Sequence, residues 1–366
     1  MSGFGGGGSD SLPPGTVLGR YEIKRLLGQG GMGCVYEAVH RDLKKRVAIK
    51  TLLPSLATSA DARQRFLREG EAASRIRHPH VVDVTDVGAE GNVIYLVMEY
   101  LEGEDLARLI ARQGFLTPAQ TADIMLPVAA AIFSAHEQKV IHRDLKPENI
   151  FLSRTGYGSV QPKVLDFGIS KVLGDSRGRA LTGTSATMGT MNYLPPEQLR
   201  AAREADARSD QYGLGTILYE CVTGQRAFDE ESFYIVLKKI AEGDYARPSV
   251  HRPGLSPHME AVIMRAMKLE PLERFESVKQ LGAALLEHAT ESTRVLWSGF
   301  FGSPPAVDGP PAAAPTPIST APTRSPSSPP SGRIATLVAP PEGEDAPASS
   351  GPISGTMELP APRKAA

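Results

Sequence analysis

The sequence predicts an α+β fold of two lobes, a small antiparallel β-sheet with one helix and then a larger α-helical lobe, followed by a disordered C-terminal tail. Three features predict this arrangement. Runs rich in β-branched and aromatic residues fill the chain up to Tyr100, apolar residues at helical spacing dominate beyond Gly103, and proline, alanine and serine dominate beyond Phe301. The 366 residues, 41% of them hydrophobic, are enough to bury a sizeable core.

The first lobe is predicted to contain about five strands and one helix. The helix is expected from Asp61 to Arg77, and Thr58, Ser59 or Asp61 can cap its start. The strands are expected over Tyr21–Leu27, Val35–Val39, Arg46–Leu52, Val81–Val87 and Val93–Tyr100.

The second lobe carries clear signals for the starts of helices. Thr117, Pro118 and Gln120 supply an N-cap, a proline at the first helical position and a capping-box partner. The pair Ser256-Pro257 repeats this signal, and a last helix is expected over Val278–His288. The predicted organisation is a flexible Gly-rich leader over 1–20, two lobes over 21–102 and 103–290, and a tail over 291–366.

Composition excludes several classes of partner. A net charge of -1 gives no overall attraction to nucleic acid or to an anionic membrane surface. Cys34 and Cys221 are too far apart for a disulfide framework or a metal-ligand spacing, which favours a reducing, cytoplasmic setting. The Gly-rich start lacks the features of a secretory signal, and no apolar run approaches the roughly 20 residues of a membrane span.

A glycine-rich run lies between the first two predicted strands. Residues 28–35 read GQGGMGCV, and glycines there allow the backbone to approach phosphate oxygens, although an ordinary Gly-rich hairpin is about equally consistent with the run. Lys50 follows on the third strand, in the sequence VAIK. Its predicted ion-pair partner is Glu69 in the following helix, with Glu71 as the alternative.

The most informative motifs lie further along the chain. Residues 142–149 read HRDLKPEN, and Asp166 begins a DFG sequence. With these motifs the chain resembles the protein kinase family, and in particular the bacterial eukaryotic-like (Hanks-type) serine/threonine kinases, from about Tyr21 to His288. The resemblance implies the bilobal protein-kinase fold and transfer of the γ-phosphate of ATP, with Mg, to Ser/Thr hydroxyls of protein substrates. The serine/threonine branch is implied by Lys146 and the Pro-Glu that follows it.

The resemblance also implies a role for each matching residue. Asp144 is the catalytic base, Lys146 steadies the transferred phosphoryl group, and Lys50 with Glu69 holds the α/β-phosphates, while Asn149 and Asp166 hold Mg. Asp105 matches a ribose-contacting position, and a helix N-cap role for it is equally open. The implied nucleotide-binding residues are Leu27, Gly28, Gln29, Gly30, Gly31, Met32, Gly33, Cys34, Val35, Ala48, Lys50, Met98 as gatekeeper, Glu99, Leu101, Asp105 and Phe151.

Regulation is implied by the segment between Gly168 and Pro195. Arg143 is expected to pair with a phosphate on this loop, where Thr182 and Thr184 are the favoured acceptors for autophosphorylation in trans, which a homodimer would allow. Thr190 resembles the residue that hydrogen-bonds the catalytic Asp and Lys.

Four further residues have expected structural roles. Glu197 is predicted to form a buried ion pair with Arg274, and Asp210 resembles the anchor of the catalytic-loop backbone. His142 is expected to be a packed core residue, and Cys34 an inert surface thiol.

Two alternatives to a working kinase remain at this stage. A pseudokinase scaffold would keep the fold without turnover, although Lys50, Asp144 and Asp166, whose loss usually marks such proteins, are all present. The Pro-rich tail could instead recruit partners through extended patches or phosphothreonines, with a simple linker as the plain reading of that segment.

Overall fold

The structure is a computed structural model that describes residues 11–31, 33–156, 158–167, 191–200 and 205–302. Within these residues the chain forms a β-sheet lobe followed by a larger, mostly helical lobe, as the sequence predicts. Met32, Thr182, Thr184, Thr190 and the tail from residue 303 lie outside the described residues.

The first lobe is built on a six-stranded antiparallel sheet in the order β1-β2-β3-β4-β6-β5. Side chains on the core face of a strand alternate with those on its other face, and β3 accordingly alternates buried and half-buried positions from Cys34 to Val39. The bounds are β1 Val17–Leu18, β2 Tyr21–Gln29, β3 Gly33–His40, β4 Arg46–Leu52, β5 Val84–Glu90 and β6 Val93–Glu99.

The strand β1 lies inside the segment predicted to be a flexible leader, so that prediction is wrong for residues 11–20. Leu18 is only 2% exposed and pairs with Tyr21 of β2. The backbone N–H of Leu12 also donates to the Tyr36 hydroxyl at 2.8 Å. These two leucines give the segment apolar anchors, which its glycine content concealed.

Two helices, α1 over Pro54–Ala57 and α2 over Ala60–Arg75, pack against this sheet. Ser59 is the N-cap of α2, because its hydroxyl accepts a hydrogen bond from the Ala62 N–H at 3.3 Å. The strand expected from Val81 begins only at Val84, since Val81 forms a single bridge to Val164 in the other lobe.

The second lobe contains helices and one small sheet that the sequence reading missed. The sheet is antiparallel in the order β7-β8-β9, and its strands of three to five residues are too short to give a periodic signal. Its bounds are β7 Gly103–Asp105, β8 Ile150–Arg154 and β9 Val160–Val164. The helices described are α3 Leu106–Gln113, α4 Pro118–Glu137, α5 Pro196–Arg200, α6 Ala207–Thr223, α7 Phe233–Glu242, α8 Pro248–His251, α9 Pro257–Ala266, α10 Val278–Leu285 and α11 Glu291–Phe301.

The core of this lobe lies around α4 and α6. The predicted capping box begins α4, where Thr117 accepts from the Gln120 N–H and the Gln120 side chain accepts from the Thr117 N–H. Residues 128–132 of α4 are buried on every side, and so is α6 from Ser209 to Thr223. These two helices therefore form the rigid base for the loops above them.

The helix α11 corrects the predicted start of the tail at residue 291. Thr290 binds the Asp123 carboxylate through its backbone N–H at 3.0 Å and its hydroxyl at 2.9 Å. Phe301 is 5% exposed and packs on Gly282, where a Cβ would lie 2.1 Å from its ring. Aromatic residues thus continue the ordered lobe to residue 301. No helix in the described parts of the chain is long and apolar enough to cross a membrane.

Candidate active site

Lys50 lies at the centre of the cleft between the lobes. It projects from β4, and its Nζ is 2.8 Å from Glu69 Oε1 of α2 and 2.8 Å from Asp166 Oδ1, just after β9. Glu71, the alternative partner, instead pairs with Arg75 on the exposed side of α2. The cleft therefore joins β4, α2 and β9 through one ammonium group.

The surroundings of Lys50 keep it charged. Burial would lower the pKa of Lys50, but the charges and hydrogen bonds of Asp166 and Glu69 outweigh it and hold the pKa above its usual value. Burial raises the pKa of Glu69, and Lys50 opposes that effect. An ammonium held in this way can bind the oxygens of a polyphosphate.

The predicted catalytic residues Asp144, Lys146 and Asn149 form a second group in the cleft. The Asn149 amide donates to the Asp144 backbone oxygen at 2.8 Å and to Asp144 Oδ2 at 3.3 Å. Lys146 Nζ is also 3.3 Å from Asp144 Oδ2. The Asp144 carboxylate is thus held in one orientation by two neighbours from the same short run of sequence.

The backbone of this run is fixed from below by Asp210 of α6, as predicted. Its carboxylate accepts the N–H of His142 at 2.8 Å and the N–H of Arg143 at 2.9 Å. His136 Nε2 of α4 lies 2.7 Å from the same carboxylate. Burial raises the pKa of Asp210, but His136 and the backbone donors outweigh it, so the pKa lies below its usual value and the anchor stays ionised.

Two site residues have positive φ angles without being glycine. Arg143, which directly precedes Asp144, has φ 65°. Asp166, which binds Lys50, has φ 42°. Such conformations are costly and persist where the surroundings over-determine them, as they do at active sites. His142 is fully buried, as expected, and packs on Phe167 with ring centroids 4.7 Å apart.

The donor set at this site fits Mg. Asn149 and Asp166 supply an amide oxygen and a carboxylate, which are the hard oxygen ligands that Mg prefers. No group of three or more His, Cys, Asp or Glu side chains in the described ranges is arranged for a metal ion. Two protein ligands suit Mg, because this ion usually keeps several waters and binds substrate phosphates.

Apolar residues line the cleft next to these polar groups. Ala48 and Met98 form a buried cluster with Val82, and Val35, Leu101 and Leu165 pack against it. Four of these residues were predicted to bind the nucleotide, and they do lie together: Val35, Ala48, Met98 and Leu101. Of the other predicted contacts, Leu27 is 38% exposed and Phe151 lies in β8 opposite Lys163, so neither belongs to this cluster.

The glycine-rich run forms the turn between β2 and β3, where the Gly30 N–H donates to Gly33 O at 2.8 Å. A Cβ on Gly33 would lie 2.0 Å from the Thr51 backbone oxygen, whereas one on Gly28 or Gly31 would meet nothing within 4 Å. Gly33 is therefore required for strand packing, while the glycines nearer the tip leave room for a ligand.

Cys34 differs from its prediction as a surface thiol. Its side chain is 1% exposed and belongs to the core cluster of the first lobe, because β3 turns it away from the solvent. Only its backbone can face a nucleotide. Both cysteines are free and buried, and the cytoplasmic setting stays a prediction.

Asp105 is the last residue of β7 and the N-cap of α3. Its carboxylate accepts from the Arg108 N–H at 2.8 Å and lies 3.2 Å from Arg108 Nε. The cap role is therefore present, and the ribose-contacting role stays a prediction. The capping carboxylate also lines a cavity of about 970 Å³ beside Glu148, whose wall includes Glu220, Asp229 and Asp244.

The predicted ion pair between Glu197 and Arg274 is present and bidentate. The two guanidinium nitrogens lie 2.7 and 2.9 Å from the two carboxylate oxygens, and Arg274 is 1% exposed. Burial raises the pKa of Glu197, but Arg274 outweighs it and holds the pKa below its usual value. The pair fixes α5, which contains Glu197, to the segment between α9 and α10, which contains Arg274.

Sequence reasoning missed His136 and Leu165. The partner of His136, Asp210, lies 74 residues away in sequence, which no local pattern reveals. Leu165 directly precedes Asp166, and its place in the apolar cluster could have been inferred from that adjacency.

Known proteins resemble this chain over the same region. A probable serine/threonine-protein kinase of Corynebacterium efficiens is 40% identical over 278 residues, which cover 74% of this chain and 41% of that protein. The serine/threonine-protein kinase PknB of Mycobacterium tuberculosis is 37% identical over 277 residues, covering 75% of this chain and 43% of that protein. The match thus spans less than half the length of either relative.

A solved structure shows the same architecture. The PknI kinase domain of Mycobacterium tuberculosis aligns with a TM-score of 0.60 and 29% identity, covering 76% of this chain and 100% of that domain. The sequence profile of the family described as "Protein kinase domain" matches residues 21–286. The chain with its Lys50, Asp144 and Asp166 cleft therefore belongs to the protein kinase domain family.

Proposed function

We propose that this chain is a serine/threonine protein kinase that transfers the γ-phosphate of Mg-bound ATP to Ser/Thr hydroxyls of proteins. One observation supports this most strongly. Lys50, paired with Glu69 and Asp166, lies in the same cleft as an Asp144 carboxylate fixed by Asn149 and anchored through Asp210. The two relatives named above carry the same activity in their names.

The proposed reaction assigns each group one task. The substrate hydroxyl oxygen forms a bond to the γ-phosphorus, the bond from that phosphorus to the bridging oxygen of ADP breaks, and the hydroxyl proton passes to Asp144. Lys146, 3.3 Å from Asp144, neutralises charge on the transferred group. Lys50 holds the α/β-phosphates.

Asn149 and Asp166 would hold Mg, whose role is to neutralise charge on the phosphates. This chain's part is positioning. Asp166 has a positive φ, and its carboxylate lies within 2.8 Å of Lys50 in the cleft. The apolar cluster of Ala48, Val82 and Met98 offers a surface for adenine and excludes water from it.

The test measures transfer of radiolabel from ATP to a generic Ser/Thr protein substrate with Mg. We expect Asp144→Asn and Lys50→Met to lower incorporation by about 10²-fold or more. Glu71→Gln is the control, since Glu71 lies on the exposed side of α2 paired with Arg75. Equal incorporation by all four proteins would refute the proposal, and phosphotyrosine as the product would refute the assignment to Ser/Thr.

Activation by autophosphorylation of Thr182 or Thr184 in trans is a further part of the proposal. Arg143 supports it, because its Nε is buried with no hydrogen-bond partner among the described residues. Arg143 also lines a cavity together with Leu194 and Pro195. Burial lowers the pKa of Arg143, and a nearby phosphate would compensate the buried charge.

Mass spectrometry of a mixture of active protein with an inactive Asp144→Asn copy tests this step. Phosphate on the loop of the inactive copy is the expected result. A loop that stays unmodified in both copies would contradict autophosphorylation while leaving the transferase proposal intact.

A further inference from the structure

An interlobe seam joins the two lobes behind the cleft, formed by residues 79–83 of the first lobe and residues 161–164 of the second. The Val82 N–H donates to Val164 O at 3.0 Å, and the Val164 N–H donates to His80 O at 2.8 Å. The Gln161 side chain adds a bond to Pro79 O at 3.1 Å. Backbone bonds therefore fix β9 against the first lobe.

One ion pair crosses this seam to the linker between the lobes. Lys163 of β9 has a side chain only 11% exposed, and its Nζ is 2.5 Å from Oε1 of Glu99, the last residue of β6. The catalytic assignment makes no use of Lys163. A buried lysine is costly unless it is paired, so its presence here requires a reason beyond covering a surface.

Glu99 is held at three points by this arrangement. Its Oε1 also accepts the Asp83 N–H at 2.9 Å, and its own backbone N–H donates to Asp83 O at 3.0 Å. The peptide group of Glu99 is thus fixed relative to both lobes at once. Leu101, two residues further along the chain, packs against the apolar cluster that would hold adenine.

We propose that Lys163 is a positioning residue for nucleotide binding, which acts through the Glu99 carboxylate to hold the linker backbone where adenine would contact it. The proposal rests on the proposed kinase function. A buried ion pair adds little net stability compared with well-packed apolar residues, whereas fixed geometry is what a pair at a ligand-binding linker supplies. The alternative is that the pair only stabilises the seam.

The test compares Lys163→Met, which keeps the aliphatic stem, with Lys163→Arg, which keeps the charge. We expect Lys163→Met to raise the KM for ATP and the Kd for adenosine by the same factor, about tenfold, with kcat changed less than about twofold. Lys163→Arg should restore most of both values. Lys268→Met is the control, since this half-exposed lysine pairs with Glu273 far from the linker.

Adenosine makes the readout specific, because it has no phosphates and reports only on the adenine and ribose end of the site. A lower melting temperature with an unchanged Kd for adenosine would overturn the proposal in favour of a purely stabilising pair. A loss of kcat at constant KM would overturn it as well.

The second variant, Glu99→Gln, decides the matter if Lys163→Met does not fold. It should weaken adenosine binding by the same factor, and the double variant should be no weaker than either single one. Failure of both single variants to fold would establish a structural role and overturn the proposal. A wild-type protein that binds adenosine but transfers no phosphate would refute the proposed function, while the adenosine series would still test the role of Lys163.

Discussion

Lys50 is held by two carboxylates that belong to different lobes, Glu69 in the first and Asp166 in the second. Both contacts of the Lys50 ammonium can therefore form only when the two lobes have the correct relative position. Glu69 and Glu71 are two positions apart on α2, which places them about 200° apart around the helix, so only one can face the cleft. The sequence left both open because it does not show which face of α2 is turned toward the cleft.

The first prediction concerns this choice of glutamate. Glu69→Gln is expected to lower kcat by about 10- to 100-fold, because a charged hydrogen bond to Lys50 is lost in a buried setting. Glu71→Gln should stay within about twofold of the wild type. Steady-state kinetics of the two variants decide it, and equal losses would contradict the orientation of α2 described here.

The residues of the site were largely accessible from the sequence because they lie in short local motifs. Asp144, Lys146 and Asn149 fall within six residues, and their mutual contacts repeat that closeness. His136 and Lys163 act through partners 74 and 64 residues away. No local sequence pattern reveals such distant partners, so only the three-dimensional structure shows what these two residues contact.

At the scale of elements, the chain departs from its predicted organisation at both ends of the domain. The strand β1 and the helix α11 are ordered because a few apolar side chains, Leu18, Trp297 and Phe301 among them, pack on the core. Composition averaged over a long segment hides such isolated anchors. Helix starts were easier, since Thr117 and Ser256 cap their helices through local hydrogen bonds.

The second prediction concerns α11. Phe301→Ala is expected to lower the free energy of unfolding by about 3 kcal/mol, because the ring is buried against Gly282 and its loss leaves a cavity. Leu296→Ala on the same helix is the control and should change stability by less than about 0.5 kcal/mol, since Leu296 is 74% exposed. Chemical denaturation measures both, and similar values would contradict the packing of α11.

The whole molecule depends on buried charge as well as on apolar packing. Glu197 and Asp210 are both ionised inside the second lobe, and both have a pKa below the usual value. The unfolded chain therefore binds more protons than the folded one in acid. Stability is fully present above the usual carboxyl pKa of about 4 and is lost as the pH falls through the depressed values.

The third prediction tests this linkage with Arg274→Met. At neutral pH the variant should lose about 3–5 kcal/mol of unfolding free energy, because Glu197 is left buried without its partner. Burial then raises the pKa of Glu197 against the Ser209 hydrogen bond without the opposing charge of Arg274, so the difference from the wild type should shrink as the pH falls toward 4.

Arg75→Met is the matched control, since Arg75 is 67% exposed and pairs with Glu71 on the surface. It should change stability by less than about 1 kcal/mol at every pH. Unfolding measured by denaturant between pH 4 and pH 7 gives the comparison. A difference between Arg274→Met and wild type that stays constant over that range would contradict the assigned ionisation of Glu197.

The interlobe seam bonds the two lobes through their backbones, by way of residues 79–83 and 161–164. Because these bonds would have to break for the lobes to separate along this line, we expect any opening of the cleft to be a hinge rotation about it. Glu99 would then move little, since it is bonded to both Asp83 and Lys163. The ion pair between Lys50 and Asp166 joins the lobes through side chains alone, so it could open without the loss of any backbone bond of the seam.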